Sequence, residues 1–154
     1  MKKILFIIGV IFLLGNHAIA QSPDKDFVII GVGTGDANLS QVQQRYAKKS
    51  DICYIKENEV SPMKQITKAI KGLVIRDLHV YLSGKPGELV FNSVTVNSVN
   101  VGEFKEQIMK WKNSISGKVV IHSPGAFTSP SGIELKKQLE EISGLEFIMI
   151  KQDL

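Results

Sequence analysis

The residues of this chain best equipped for chemistry are His122, Ser83 and Asp36. His122 ends the apolar run Lys118 to His122, and Ser83 follows the run Asp77 to Leu82. If these runs are neighbouring parallel strands, about 4.8 Å apart, their ends meet. A serine hydroxyl beside an imidazole base is the minimum equipment for acyl transfer. Nothing in the sequence identifies an acid to orient the imidazole beyond an approach by Asp36 from the first loop, which counts against the pair. Against the pair stands the alternation of strand side chains between faces, so the favoured expectation is that no residue is catalytic and that Ser83 with His122 is the hydrolase alternative.

A second feature is Gly31-Val32-Gly33-Thr34-Gly35-Asp36, which follows a strand-like run and precedes a helical one, where a phosphate-binding glycine loop would sit. A dinucleotide fingerprint requires a third glycine where Asp36 stands, and a carboxylate there repels a pyrophosphate. No nucleotide or other cofactor is expected. No metal is expected either, since neither His79 nor His122 has a companion at metal-ligand spacing. The chain's single cysteine, Cys53, lies in the apolar run Ile52 to Ile55 and is expected to be buried in a strand rather than reactive.

Strands and helices alternate in the sequence that positions these residues. Phe27 to Val32 is an almost unbroken apolar run, suited to a strand covered on both faces. Asn38 to Lys49 has helical composition, and Ile52 to Lys56 reads as a second strand. Ser61-Pro62 opens a helix with Met63, Ile66 and Ile70 on one face and Gly72 at its end. Asp77 to Leu82 is a third strand, and Leu89 to Phe91 with Val94 to Val96 form a hairpin around Asn92-Ser93. Asn100 and Glu103 have capping-box spacing before the stripe Val101, Phe104, Ile108 and Trp111. Lys118 to His122 is the fourth strand, followed by a loop that Pro124 and Pro130 keep non-helical. Ser131 and Glu134 suggest a second capping box for a helix carrying Leu135, Leu139 and Ile142, which Gly144 ends before a fifth strand at Phe147 to Ile150.

This order predicts an α/β three-layer sandwich: a mainly parallel five-stranded sheet, helices on both faces, and a small β-hairpin insertion. Ligands of such sheets meet the carboxyl ends of the strands. The loops Gly33 to Asn38, Ser83 to Gly87 and Ser123 to Ser131 would therefore hold any site, with Gly33, Asp36, Lys85 and Ser123 as candidate binding residues.

Lys2 and Lys3, the apolar stretch Ile4 to Leu14 and Ala18-Ile19-Ala20 make residues 1–20 a secretory signal peptide. The stretch is too short for a membrane-spanning helix, which needs about 20 residues. Residues 21–26 are then a short lead and 27–154 a single domain, exported to the periplasm or beyond without stable membrane insertion. Losing Lys2 and Lys3 with the leader lowers the formal charge of +4 to +2. Near-neutral charge and dispersed lysines argue against a nucleic-acid partner. The lysines at 64, 68, 71, 105, 110, 112, 136 and 137 read as solvated helix faces.

The order of elements resembles a bacterial domain-of-unknown-function family with caspase-like, clostripain- and gingipain-like topology, often part of large secreted or surface adhesins. Pro86-Gly87 and Leu89, then Gly132, Leu135, Leu139 and Ser143-Gly144, carry the resemblance. In that pattern Ser83 falls where the family places histidine, and Pro124, eight residues before Gly132, falls where it places cysteine. The resemblance implies a caspase-like fold, and the two replacements imply a pseudoenzyme without its Cys–His pair. A binding role toward an unknown protein or cell-surface partner follows as the expectation. Protein recovered from the periplasm or medium should have an intact mass beginning at Gln21, cyclised to pyroglutamate; a mass retaining residues 1–20 would refute export by cleavage.

Overall fold

The computed structural model describes residues 25–31, 39–46, 50–57 and 60–150. Five parallel strands form one sheet: β1 (Asp26–Ile30), β2 (Ser50–Tyr54), β3 (Leu78–Tyr81), β6 (Lys118–His122) and β7 (Glu146–Ile150), in the order β2-β1-β3-β6-β7. The sheet is wholly parallel, and the order reverses between β1 and β3. β4 (Glu88–Phe91) and β5 (Val94–Asn97) form a separate antiparallel hairpin. The helices are α1 (Leu39–Tyr46), α2 (Pro62–Ile70), α3 (Lys105–Ile108) and α4 (Pro130–Ser143).

Side chains alternate along each strand, so the sheet has two different faces. Phe27, Ile29, Leu78, Val80, Val119, Ile121 and Phe147 face a large core with Met63, Ile66 and Ile70 of α2, Ile108 and Trp111, and Leu135 and Leu139 of α4. Fully burying each such aliphatic side chain contributes about 1.5–3 kcal/mol. Val28, Ile30 and Tyr81 form a smaller core on the opposite face with Val42 of α1. Helices therefore cover both faces, as the alternation of elements implies.

The hairpin is tied to the carboxyl ends of the sheet. Val90 N–H donates to Ser83 O, Asn92 N–H to Gly31 O and the Asn92 amide to Ile55 O. Asn92 adopts φ 51° at the turn, a left-handed conformation that asparagine tolerates well. Gly31 fits beneath the hairpin because a Cβ there would lie 2.9 Å from a Phe91 ring carbon and 2.7 Å from Leu82 Cδ2.

Two helix starts differ from the sequence expectation. Asn100 does not cap a helix: its side chain accepts from Asn97 N–H and donates to Thr95 O, closing the hairpin instead. The segment after it is a 3₁₀ turn (Val101–Phe104), then α3, then a second 3₁₀ turn (Trp111–Asn113), although Val101, Ile108 and Trp111 are buried as their spacing predicts. The cap of α4 is Ser129, not Ser131; its Oγ accepts from Gly132 N–H at 3.1 Å. Pro130 is the first helical residue, where its missing N–H costs nothing, so it starts the helix instead of prolonging the loop. Cys53 is also only half-buried, because β2 is an edge strand.

Replacing Ser129 by Ala should lower stability by about 1 kcal/mol, the usual value of an N-cap. Ser131→Ala should cost less than half as much, which paired urea-unfolding curves would measure.

Candidate functional site

The tips of β3 and β6 are neighbours. Leu78, His79, Val80 and Tyr81 pair in parallel with Val119, Val120, Ile121 and His122, and Leu82 N–H continues the ladder to His122 O. The register places His79, Tyr81 and His122 on the face covered by α1.

There the rings assemble into one polar layer. His122 stacks on Tyr81 with centroids 3.9 Å apart and planes 9° off parallel. Its Nε2 lies 2.9 Å from His79 Nδ1, and the other nitrogen of His79, Nε2, lies 3.7 Å from Asp26 Oδ2. That carboxylate favours a proton on His79 Nε2, leaving Nδ1 to accept from His122 Nε2–H. Tyr46, from α1, brings its hydroxyl 3.4 Å from His79 Nδ1 and accepts a hydrogen bond from Tyr81 at 3.2 Å.

Burial, the neighbouring His79 and Arg45 push the His122 imidazole down to about 3. His79 is also lowered, chiefly by burial and further by Arg76 and Lys118, against the opposing pull of Asp26 and Asp77. Burial, with Tyr46 next, raises the Tyr81 hydroxyl well above the ordinary tyrosine range. Both histidines are therefore neutral hydrogen-bonding groups at neutral pH.

Among the described residues no hydrogen bond joins Ser83 to His122. Tyr81 and His79 hold the imidazole down the sheet, while Ser83 is exposed and its backbone leads into the hairpin. Ser123 is fully buried, and its Oγ has no hydrogen-bond partner among the described residues. It packs so closely on Gly84 that a Cβ there would lie 1.7 Å from it. Lys85 and Pro124 are exposed on the adjoining loops, whereas Gly33 and Asp36 lie outside the described residues. Cys53 lies on β2, three strand spacings or about 14 Å from β6, and burial raises its thiol above the ordinary range.

Sequence spacing gave no sign of a second cluster, in which Asp26, Asp77 and His79 bring ligand-type atoms within 4.8 Å of one another. Its carboxylates already have partners. Arg76 donates to Asp26 through Nε at 3.1 Å and through a terminal nitrogen at 3.0 Å, and lies 3.7 Å from Asp77, which accepts from Lys118 N–H. The cluster thus ties the start of β3 to β1 and β6, work for which a guanidinium suffices. The only sequence hint of it is Arg76-Asp77 opening a strand.

The family model described as Domain of unknown function (DUF4347) matches residues 29–152, and the chain belongs to that family. No curated protein matches the chain.

A histidine kept neutral by folding makes the native state bind fewer protons than the unfolded state once pH falls below about 6.5. Stability should therefore be full above that pH and decline as pH falls toward about 3, where His122 itself titrates. Urea unfolding across this range should show that decline, and His122→Phe should flatten it. An unchanged slope in the variant would mean that His122 titrates normally in the folded protein.

Proposed function

Starting from membership of the DUF4347 family, we propose that this chain is an exported binding domain, a catalytically silent relative of caspase-like peptidases. The observation that carries the reading is the chemistry of the two adjacent strand tips. Where the resemblance calls for histidine and cysteine, the chain has Ser83 and Pro124. Proline supplies no nucleophile. The nearest imidazole, His122, is committed to Tyr81 and His79. Nor does Cys53 substitute for the missing thiol, because a thiol raised by burial at a distant edge strand has little thiolate to attack with.

The alternative, a hydrolase using Ser83 with His122, requires the imidazole to break its stack and its hydrogen bond and swing toward the loop. Its buried position, 5% exposed, opposes that movement. Export rests on the leader-like residues 1–20, and the proposed partner is a protein or other cell-surface component rather than a nucleic acid or a bilayer.

A serine-reactive fluorophosphonate and a panel of peptide and ester substrates test this directly. The expected result is no labelling of Ser83 and no turnover above buffer. Labelling at Ser83 that disappears in His122→Ala would establish the hydrolase instead.

A further inference from the structure

The lysines of α2 and α3 do not form two unrelated solvated faces. Lys64, Lys68 and Lys71 follow one side of α2 and its C-terminal end, and Lys110 faces them from the turn after α3. Together they line a groove of about 850 Å³, with Gln107 and Asn113 on the far wall and Thr67 and Ile70 among the floor residues. All four lysines are exposed. Among the described residues no aspartate or glutamate lines the groove, and none of the four lysines forms an ion pair. At 1.5 Å of rise per residue, Lys64 to Lys71 spread three charges over about 10 Å. A concave wall focuses such a field and concentrates counter-ions along it.

We propose that this groove binds an acidic polysaccharide, a polymer carrying carboxylate or sulfate groups among sugar hydroxyls. The row of ammonium groups matches a linear series of anions. The side-chain amides of Gln107 and Asn113 have no hydrogen-bond partner among the described residues, and each offers a donor and an acceptor to hydroxyls. The lining contains neither the aromatic platforms on which single-stranded nucleic acid stacks nor the arginines that grip phosphates in pairs. Among the described residues it also lacks a free strand edge, and Val60 is its one exposed apolar side chain, short of the set of anchors that holds a peptide. The groove runs along α2 and reaches Ser114, at the amino ends of β3 and β6, away from the tips that carry Ser83 and Pro124. It therefore does not depend on those tips being silent.

The test is isothermal titration of the full mature chain with polygalacturonate and with dextran sulfate, neutral dextran serving as the blank. Binding is expected to at least one anionic polymer, to weaken as salt rises, and to fall about tenfold or more in Lys68→Glu/Lys110→Glu. The charge-matched pair Lys105→Glu/Lys112→Glu, outside the lining, should bind as the parent does. Thermal melts of both variants should match the parent, since all four side chains are exposed. Absence of binding, equal weakening by both variants, or tighter binding to single-stranded RNA or phosphatidylglycerol vesicles would overturn the proposal. Polysaccharide binding together with fluorophosphonate labelling of Ser83 would sustain it while refuting the silent-tip reading.

Discussion

The parallel pairing of β3 with β6 is the constraint on which the rest of this structure depends. It joins β2, β1 and β3 to β6 and β7, and its register sets Tyr81 beside His122. A slip of β6 by one residue would turn Val119 and Ile121 out of the main core and force Val120 and His122 into it. The apolar residues on one face and the rings on the other thus specify the same register. The hairpin, the loop after β6 and the start of α4 all grow from these two tips.

The polar layer beneath α1 follows from that register. Burying two imidazoles is costly unless they are neutral and hydrogen-bonded. The chain meets this requirement by letting each histidine satisfy the other, with Asp26 and Tyr46 at the margin. The same arrangement engages His122 Nε2 within the layer. Protonating His122 would place a charge in a buried layer, and protonating both rings would set like charges side by side, so the layer is held as a neutral pair.

Two parts of the surface therefore have different prospects. The strand tips lie where α/β sheets usually present their chemistry, and there Pro124 is exposed, Ser123 is buried and His122 is hydrogen-bonded to His79. The lysine-lined groove along α2 belongs to the helical layer and owes nothing to the sheet ends.

Local chemistry made most of the architecture legible in the sequence. The apolar runs at Phe27, Asp77, Lys118 and Phe147, the Ser61-Pro62 cap, Gly144 and the Asn92-Ser93 turn all appear as elements or boundaries close to where their residue types place them. Such signals act over a few residues, so a single sequence contains them. Choices between competing local partners were not legible: Ser129 over Ser131 as a cap, or Asn100 closing a hairpin instead of opening a helix, depends on which backbone N–H the fold brings within reach. The long-range groupings were least visible. His79 and His122 are 43 residues apart, and Lys64 and Lys110 meet only because α2 and α3 pack on the same face. By itself the sequence determined the alternation of strands and helices and the absence of a cysteine at the tips. Only the tertiary structure decided which way His122 points and which charges share a groove, because side-chain direction and distance are set by packing between segments remote in the chain.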